Sequence, residues 1–136
     1  MSDARLDTFR SIPLFAACSD EGLRRIIELA TEAEVPAGHV LIQPGLEGSG
    51  FFVLEQGTVT VEAHDHPAEL GPGDFFGELA LLTPEAVRSA RVRAKTDVRF
   101  LAISRKDFET LIEGEPSLAL AMLRELAHRL AVAAHG

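Results

Sequence analysis

The sequence holds one cysteine, Cys18, so an internal disulfide is excluded and a reducing compartment fits. It holds no apolar run near the ~20 residues that cross a bilayer as a helix. Its start, MSDARLDTF, has no signal-peptide core. Basic residues are in the minority, 13 Lys and Arg against 21 Asp and Glu, for a net charge of −8. That field repels a polyanion, so DNA binding by this chain alone is not expected. There are no paired carboxylates at catalytic spacing, no Cys/His metal spacing, no activated nucleophile and no Walker lysine. Catalysis has no visible seat, and the expectation is that the chain is not an enzyme. Repeats and low-complexity tracts are also missing.

What remains is a 136-residue chain, 46% hydrophobic and 25% charged, which suits one soluble domain, expected to be cytoplasmic. Residues 3–30 read as helix, broken by Pro13. In SDEGLRRIIELA, Ser19 is the expected N-cap, and Leu23, Ile26, Ile27 and Ala30 follow a helical stripe. Pro36 and Gly38 mark a change of regime. From 39 to 104 the chain is short apolar runs between glycine and proline turns: HVLIQ, FFVLE, TVTVEA, AEL, ARVRA and VRFLAI. Many short strands at this spacing predict a sandwich or barrel rather than a parallel α/β sheet. Residues 105–113 return to helix. Pro116 fits the first position of a last helix, with Met122, Leu123, Leu126 and Leu130 expected on one stripe. The expected fold class is α+β: a mainly antiparallel, jelly-roll-like β-roll over 33–104, N-terminal helices over 1–32, and two C-terminal helices over 105–136.

The chemistry concentrates in residues 70–90, LGPGDFFGELALLTPEAVRSA. The strand AEL leads through Gly71-Pro72-Gly73 to Phe75, Phe76 and Gly77, and then to a short helix, ELALL. A helix N-terminus offers unpaired N–H groups and partial positive charge, which suits a phosphate. Gly77 lets a ligand approach the backbone. Arg88 can fork two N–H bonds onto phosphate oxygens. Glu78 has the wrong sign for the phosphate but suits a sugar hydroxyl. One acid for a ribose and one base for a compact phosphate describe a nucleotide. The plainer alternative is a surface ion pair between Glu78 and Arg88, worth little to stability. A Rossmann reading of Gly71-x-Gly73 fails, because Pro84 ends any helix too soon for a βαβ unit.

FFGELALL followed by RSA resembles the phosphate-binding cassette of the cyclic nucleotide-binding domain family. GLEGSGFFVLEQGTVTV is similar to that family's preceding hairpin, with Gly45 and Gly57 at its turns. VRAKTDVRFLAI resembles the closing strands, and DFETLIEGEP the start of the C-terminal helices. The resemblance implies a cassette over 76–90. It implies Glu78 on the ribose 2′-hydroxyl, backbone groups of Gly77, Leu79 and Ala80 on ribose and phosphate, and Arg88 on the cyclic phosphate. Ser89 is then the small residue beside it, and Phe76 and Ala90 flank the pocket. Val87 departs from the proline common before the arginine. The implied ligand is cAMP, with cGMP the alternative, and no cofactor or metal is implied. A degenerate, scaffold-like member is the second reading.

The last helix, in such a family, acts as a lid, and by position Arg129 can stack on the base. A dimer through that helix, or a monomer, are the expected states, and an effector protein of unknown identity would read the output. The initiator-like Met1 and the stop at Gly136 read as a free-standing receptor or as a regulatory piece of a longer chain. His64-Asp65-His66 between two strands reads as a solvated hairpin turn rather than a metal site, since His39, His128 and His135 supply no matching motif. Arg91, Arg93 and Lys95 alternate along one strand face, expected to be solvated. Ser49 reads as a turn residue, and Cys18 as packing.

Overall fold

In the computed structural model, residues 3–42, 50–62, 68–77 and 91–135 are described. They divide between two compact units, one from residues 29–108 and one from 1–28 with 109–136.

The first unit is the antiparallel β-roll. One sheet has the order β1 (Thr31–Val35), β8 (Val98–Ser104), β3 (Gly50–Gln56), β6 (Phe75–Phe76). The other runs β2 (Val40–Ile42), β7 (Arg91–Ala94), β4 (Val59–Glu62), β5 (Ala68–Leu70). Every pairing among the described strands is antiparallel. Leu54, Phe76, Val98 and Phe100 from the first sheet form one core with Ile42, Val59, Val92 and Ala94 from the second. Phe52 stacks on Phe76 at 5.0 Å between ring centroids and meets Phe100 edge-on at 5.5 Å.

Strands β3 and β8 are apolar on both faces for a structural reason. Alternate residues point to opposite faces, and Phe51, Val53, Leu101 and Ile103 are buried as deeply as Leu54 and Phe100. In register, Phe51 opposes Ile103 and Val53 opposes Leu101. Phe51 packs its ring on Phe75 at 5.5 Å and on Phe108, from helix α3 (Arg105–Gly114), at 5.1 Å. A sheet buried on both sides needs continuous apolar runs, and FFVL and FLAI supply them. Gly57 turns the chain between β3 and β4 at φ +90°, where a Cβ would sit 2.2 Å from the Asp97 carbonyl oxygen.

The strand Thr31–Val35 lies ahead of the first strand expected from the sequence. TEAEV carries its polar residues at exposed positions and pairs with β8 alone, as an edge strand does. Such a strand has no apolar run to announce it. The cationic face of β7 is confirmed and is ion-paired. Arg93 Nε donates to Glu62 at 2.9 Å, Arg91 lies 3.9 Å from the same carboxylate, and Lys95 pairs with Glu69.

The second unit is helical. Helix α1 (Asp3–Arg10), a 3-10 turn (Pro13–Phe15) and α2 (Asp20–Leu29) come from the N-terminal part. Ser19 caps α2 as expected, its hydroxyl accepting the Gly22 N–H at 3.0 Å. Pro116 opens the last helix, α4 (Pro116–His135), and α4 packs on the 3-10 turn. Leu6, Phe9, Leu14, Phe15, Leu118 and Met122 are buried. The expected stripe on α4 is rotated. Met122 is buried, Leu126 half-buried, and Leu123 and Leu130 are 62% and 73% exposed. The inward face runs instead through Leu118, Met122, Glu125 and Arg129, at spacings of four, three and four. Cys18 is buried, and burial raises its thiol pKa.

Candidate functional site

The approach to residues 78–90 is built from one turn clipped to β3. Gly71 to Asp74 form a tight turn, with the Asp74 N–H donating to the Gly71 carbonyl at 3.0 Å. The Asp74 carboxylate accepts the Gly71 N–H at 2.9 Å, which closes the turn from the other side. Two backbone bonds then fasten it to β3. The Gly73 N–H donates to the Leu54 carbonyl, and the Leu54 N–H to the Asp74 carbonyl, each at 2.8 Å. Asp74 is a positioning residue that the sequence reading did not single out, although Gly-Pro-Gly-Asp is a turn signature with a mechanism.

From this anchor the chain enters β6. Phe75 pairs with Val53 and Phe76 with Phe52. Phe75 and Phe76 point to opposite faces, and both are buried. Phe76 faces the roll core, stacked on Phe52. Gly77 follows at φ +93°. A side chain rarely tolerates that conformation, so glycine is needed there for the backbone alone. The chain thus leaves a fixed strand and takes a left-handed backbone conformation at Gly77, immediately before Glu78 in sequence.

Glu78, Leu79, Ala80, Arg88, Ser89 and Ala90 lie outside the described residues, as do Gly45, Ser49 and His64-Asp65-His66. Among the described residues there is no group of three His, Cys, Asp or Glu able to hold a metal. None of their helices is long and apolar enough to cross a membrane. Arg129 is on the inward face of α4 and is engaged with Glu125 one turn earlier, Nε to Oε2 at 3.1 Å.

Comparison with known proteins gives the class. The model of the cyclic nucleotide-binding domain matches residues 32–115, and the chain belongs to that family. A cyclic nucleotide-gated potassium channel of Rhizobium etli is 39% identical over 109 residues, covering 80% of this chain and 30% of the channel. A cGMP-dependent 3′,5′-cGMP phosphodiesterase of Dictyostelium discoideum is 38% identical over 76% of this chain and 11% of its own length. The chain thus spans under a third of both relatives. Among solved structures, the Thermus thermophilus catabolite activator protein superposes with a TM-score of 0.77 at 31% identity. That match covers 89% of this chain and 59% of the other. The regulatory domain of Toxoplasma gondii PKA, crystallised with cAMP, gives 0.69 at 25% identity over 82% of this chain and 46% of its own.

Proposed function

We propose that the chain is a non-catalytic cyclic nucleotide sensor that binds cAMP in the β-roll and signals through α4. The observation that carries this is the left-handed Gly77, held by a clipped turn and followed directly by the cassette sequence Glu78 to Ala90. Glu78 binds the ribose hydroxyl and Arg88 the cyclic phosphate. Gly77, Leu79 and Ala80 contribute backbone groups, and Phe76, Ser89 and Ala90 line the site. Calorimetry with cAMP, cGMP and 5′-AMP tests it. Binding of cAMP about tenfold tighter than cGMP, or ~1.4 kcal/mol, is expected, since the Ser89 hydroxyl can still reach a guanine amino group. Binding of neither cyclic nucleotide would leave the scaffold reading in its place. Relatives named for cAMP and for cGMP both exist, so the base preference rests on Ser89.

The helix α4 is the moving part in this reading. Arg129 exchanges its bond to Glu125 for a stack on the purine, so nucleotide favours one position of the helix. Hydrogen exchange over 118–130 is expected to slow on adding cAMP. Arg129→Ala should weaken binding by about 1 kcal/mol, the worth of one cation–π contact. Unchanged exchange together with unchanged affinity would remove α4 from the mechanism.

The partner is a second copy of the chain. Leu120, Leu123 and Leu130 are exposed on α4, and with Ala127 they recur at spacings of three, four and three. That is the narrow seam of a two-helix coiled coil, which a like helix complements. Sedimentation should show a dimer that Leu123→Glu converts to monomer. A monomer at high concentration would refute the seam.

A further inference from the structure

We propose that Glu115 is a latch that ties the joint between α3 and α4 to the start of α2, so that these segments move together until it opens. This goes beyond the nucleotide reading and does not depend on it. Glu115 is the single residue between Gly114, the end of α3, and Pro116, the start of α4. Pro116 has no N–H, so α3 cannot continue through it as regular helix. The joint holds itself by two backbone bonds, Glu115 N–H to the Leu111 carbonyl at 2.8 Å and Leu118 N–H to the Glu115 carbonyl at 3.0 Å.

The side chain reaches across the unit. Its Oε1 accepts the Ser19 hydroxyl at 2.8 Å, and its Oε2 accepts the Ser117 hydroxyl at 2.7 Å. Ser19 is at the same time the cap of α2, accepting the Gly22 N–H. One hydroxyl therefore terminates α2 and holds the joint, 96 residues apart in sequence. The approach requires the missing side chain of Gly22. A Cβ there would lie 1.9 Å from Glu115 Oε1. The Ser117 hydroxyl holds the Glu115 carboxyl below its ordinary pKa of 4.5 against the opposing effect of burial, and Ser19 adds to the lowering.

Cys18 sits against the latch and can report on it. Its sulfur is 3.9 Å from the Ser117 hydroxyl oxygen, and its carbonyl accepts from Arg10 Nη1 at 2.9 Å. Arg10 also pairs with Asp20, so the charged groups around the latch are Arg10, Asp20, Glu115 and the thiol itself. As the sequence has one cysteine, thiol labelling reads this place alone.

The experiment is the labelling rate of Cys18 in the full chain without nucleotide, with hydrogen exchange of amides 118–126 measured alongside. Glu115→Ala is expected to raise labelling about tenfold and to speed exchange. Gly22→Ala keeps the carboxylate but blocks its approach, and should raise labelling to a similar degree. Glu113→Ala, an exposed acid in α3, should leave both rates as they are. The contribution of a carboxyl with lowered pKa stands in full above its ordinary value and is lost as pH falls through the lowered one. Glu115→Gln should remove that acid dependence from exchange. Circular dichroism confirms that each variant is folded. If folded Glu115→Ala and Gly22→Ala both label and exchange like the parent chain, Glu115 is not a latch.

Discussion

Replacing Arg88 by alanine is expected to weaken cAMP binding by about 2–5 kcal/mol, because the phosphate charge keeps its desolvation cost and loses its partner. In affinity that is a loss of roughly thirtyfold to several thousandfold. Glu78→Ala strands a neutral hydroxyl instead and should cost about 1–3 kcal/mol. The order of the two is the sharper test. A surface ion pair between Glu78 and Arg88 would make the two substitutions equivalent and small. The other cations nearby in sequence are already committed. Arg91 and Arg93 pair with Glu62, and Lys95 with Glu69. None of them is placed to substitute for Arg88 without giving up its carboxylate. Equal and small losses from Arg88→Ala and Glu78→Ala in calorimetry would overturn the assignment.

Phe51→Ala is expected to produce a large loss of stability, about 3–5 kcal/mol. Phe51 is 1% exposed and carries two ring contacts, to Phe75 and Phe108. Its removal leaves a cavity beneath three elements at once: β3, β6 and the first turn of α3. Urea unfolding should show a lowered midpoint with an unchanged slope. Glu109→Ala, at an exposed position on α3 away from the leucine seam, should shift stability by less than about 0.5 kcal/mol. A loss below about 1 kcal/mol at Phe51 would mean that the site closes up around the smaller side chain.

The roll was legible in the sequence wherever burial is two-sided or alternation is strict. FFVL, FLAI and RVRA name their own strands, and Ser19 and Pro116 name their helix starts. Thr31–Val35 was not legible, because a half-exposed edge strand carries no apolar signature. The face of α4 was read about a quarter-turn off. Leucine spacing identifies an apolar helix, but in a helix apolar on most sides it does not say which side has a neighbour. The Asp74 clip and the Glu115 contact escaped for another reason. Each depends on groups distant in sequence, Leu54 in one case and Ser19 in the other. The family resemblance was legible in the motif between Phe75 and Ala90 together with the strands around it, the family match spans residues 32–115, and Gly77 is where motif and backbone geometry coincide.

The two bonds between Leu54 and the Gly73–Asp74 turn have a consequence for how this chain can change length. They fix the number of residues from the turn to Gly77 as a count. Deleting one residue between Asp74 and Gly77 would leave the remaining phenylalanine to serve two faces of the sheet with one side chain. Either Phe51 would lose its partner at Phe75, or Phe52 its partner at Phe76. Inserting one would carry the left-handed turn out of step with β3. The segment is therefore closed to insertion and deletion, and new function can enter it only by substitution.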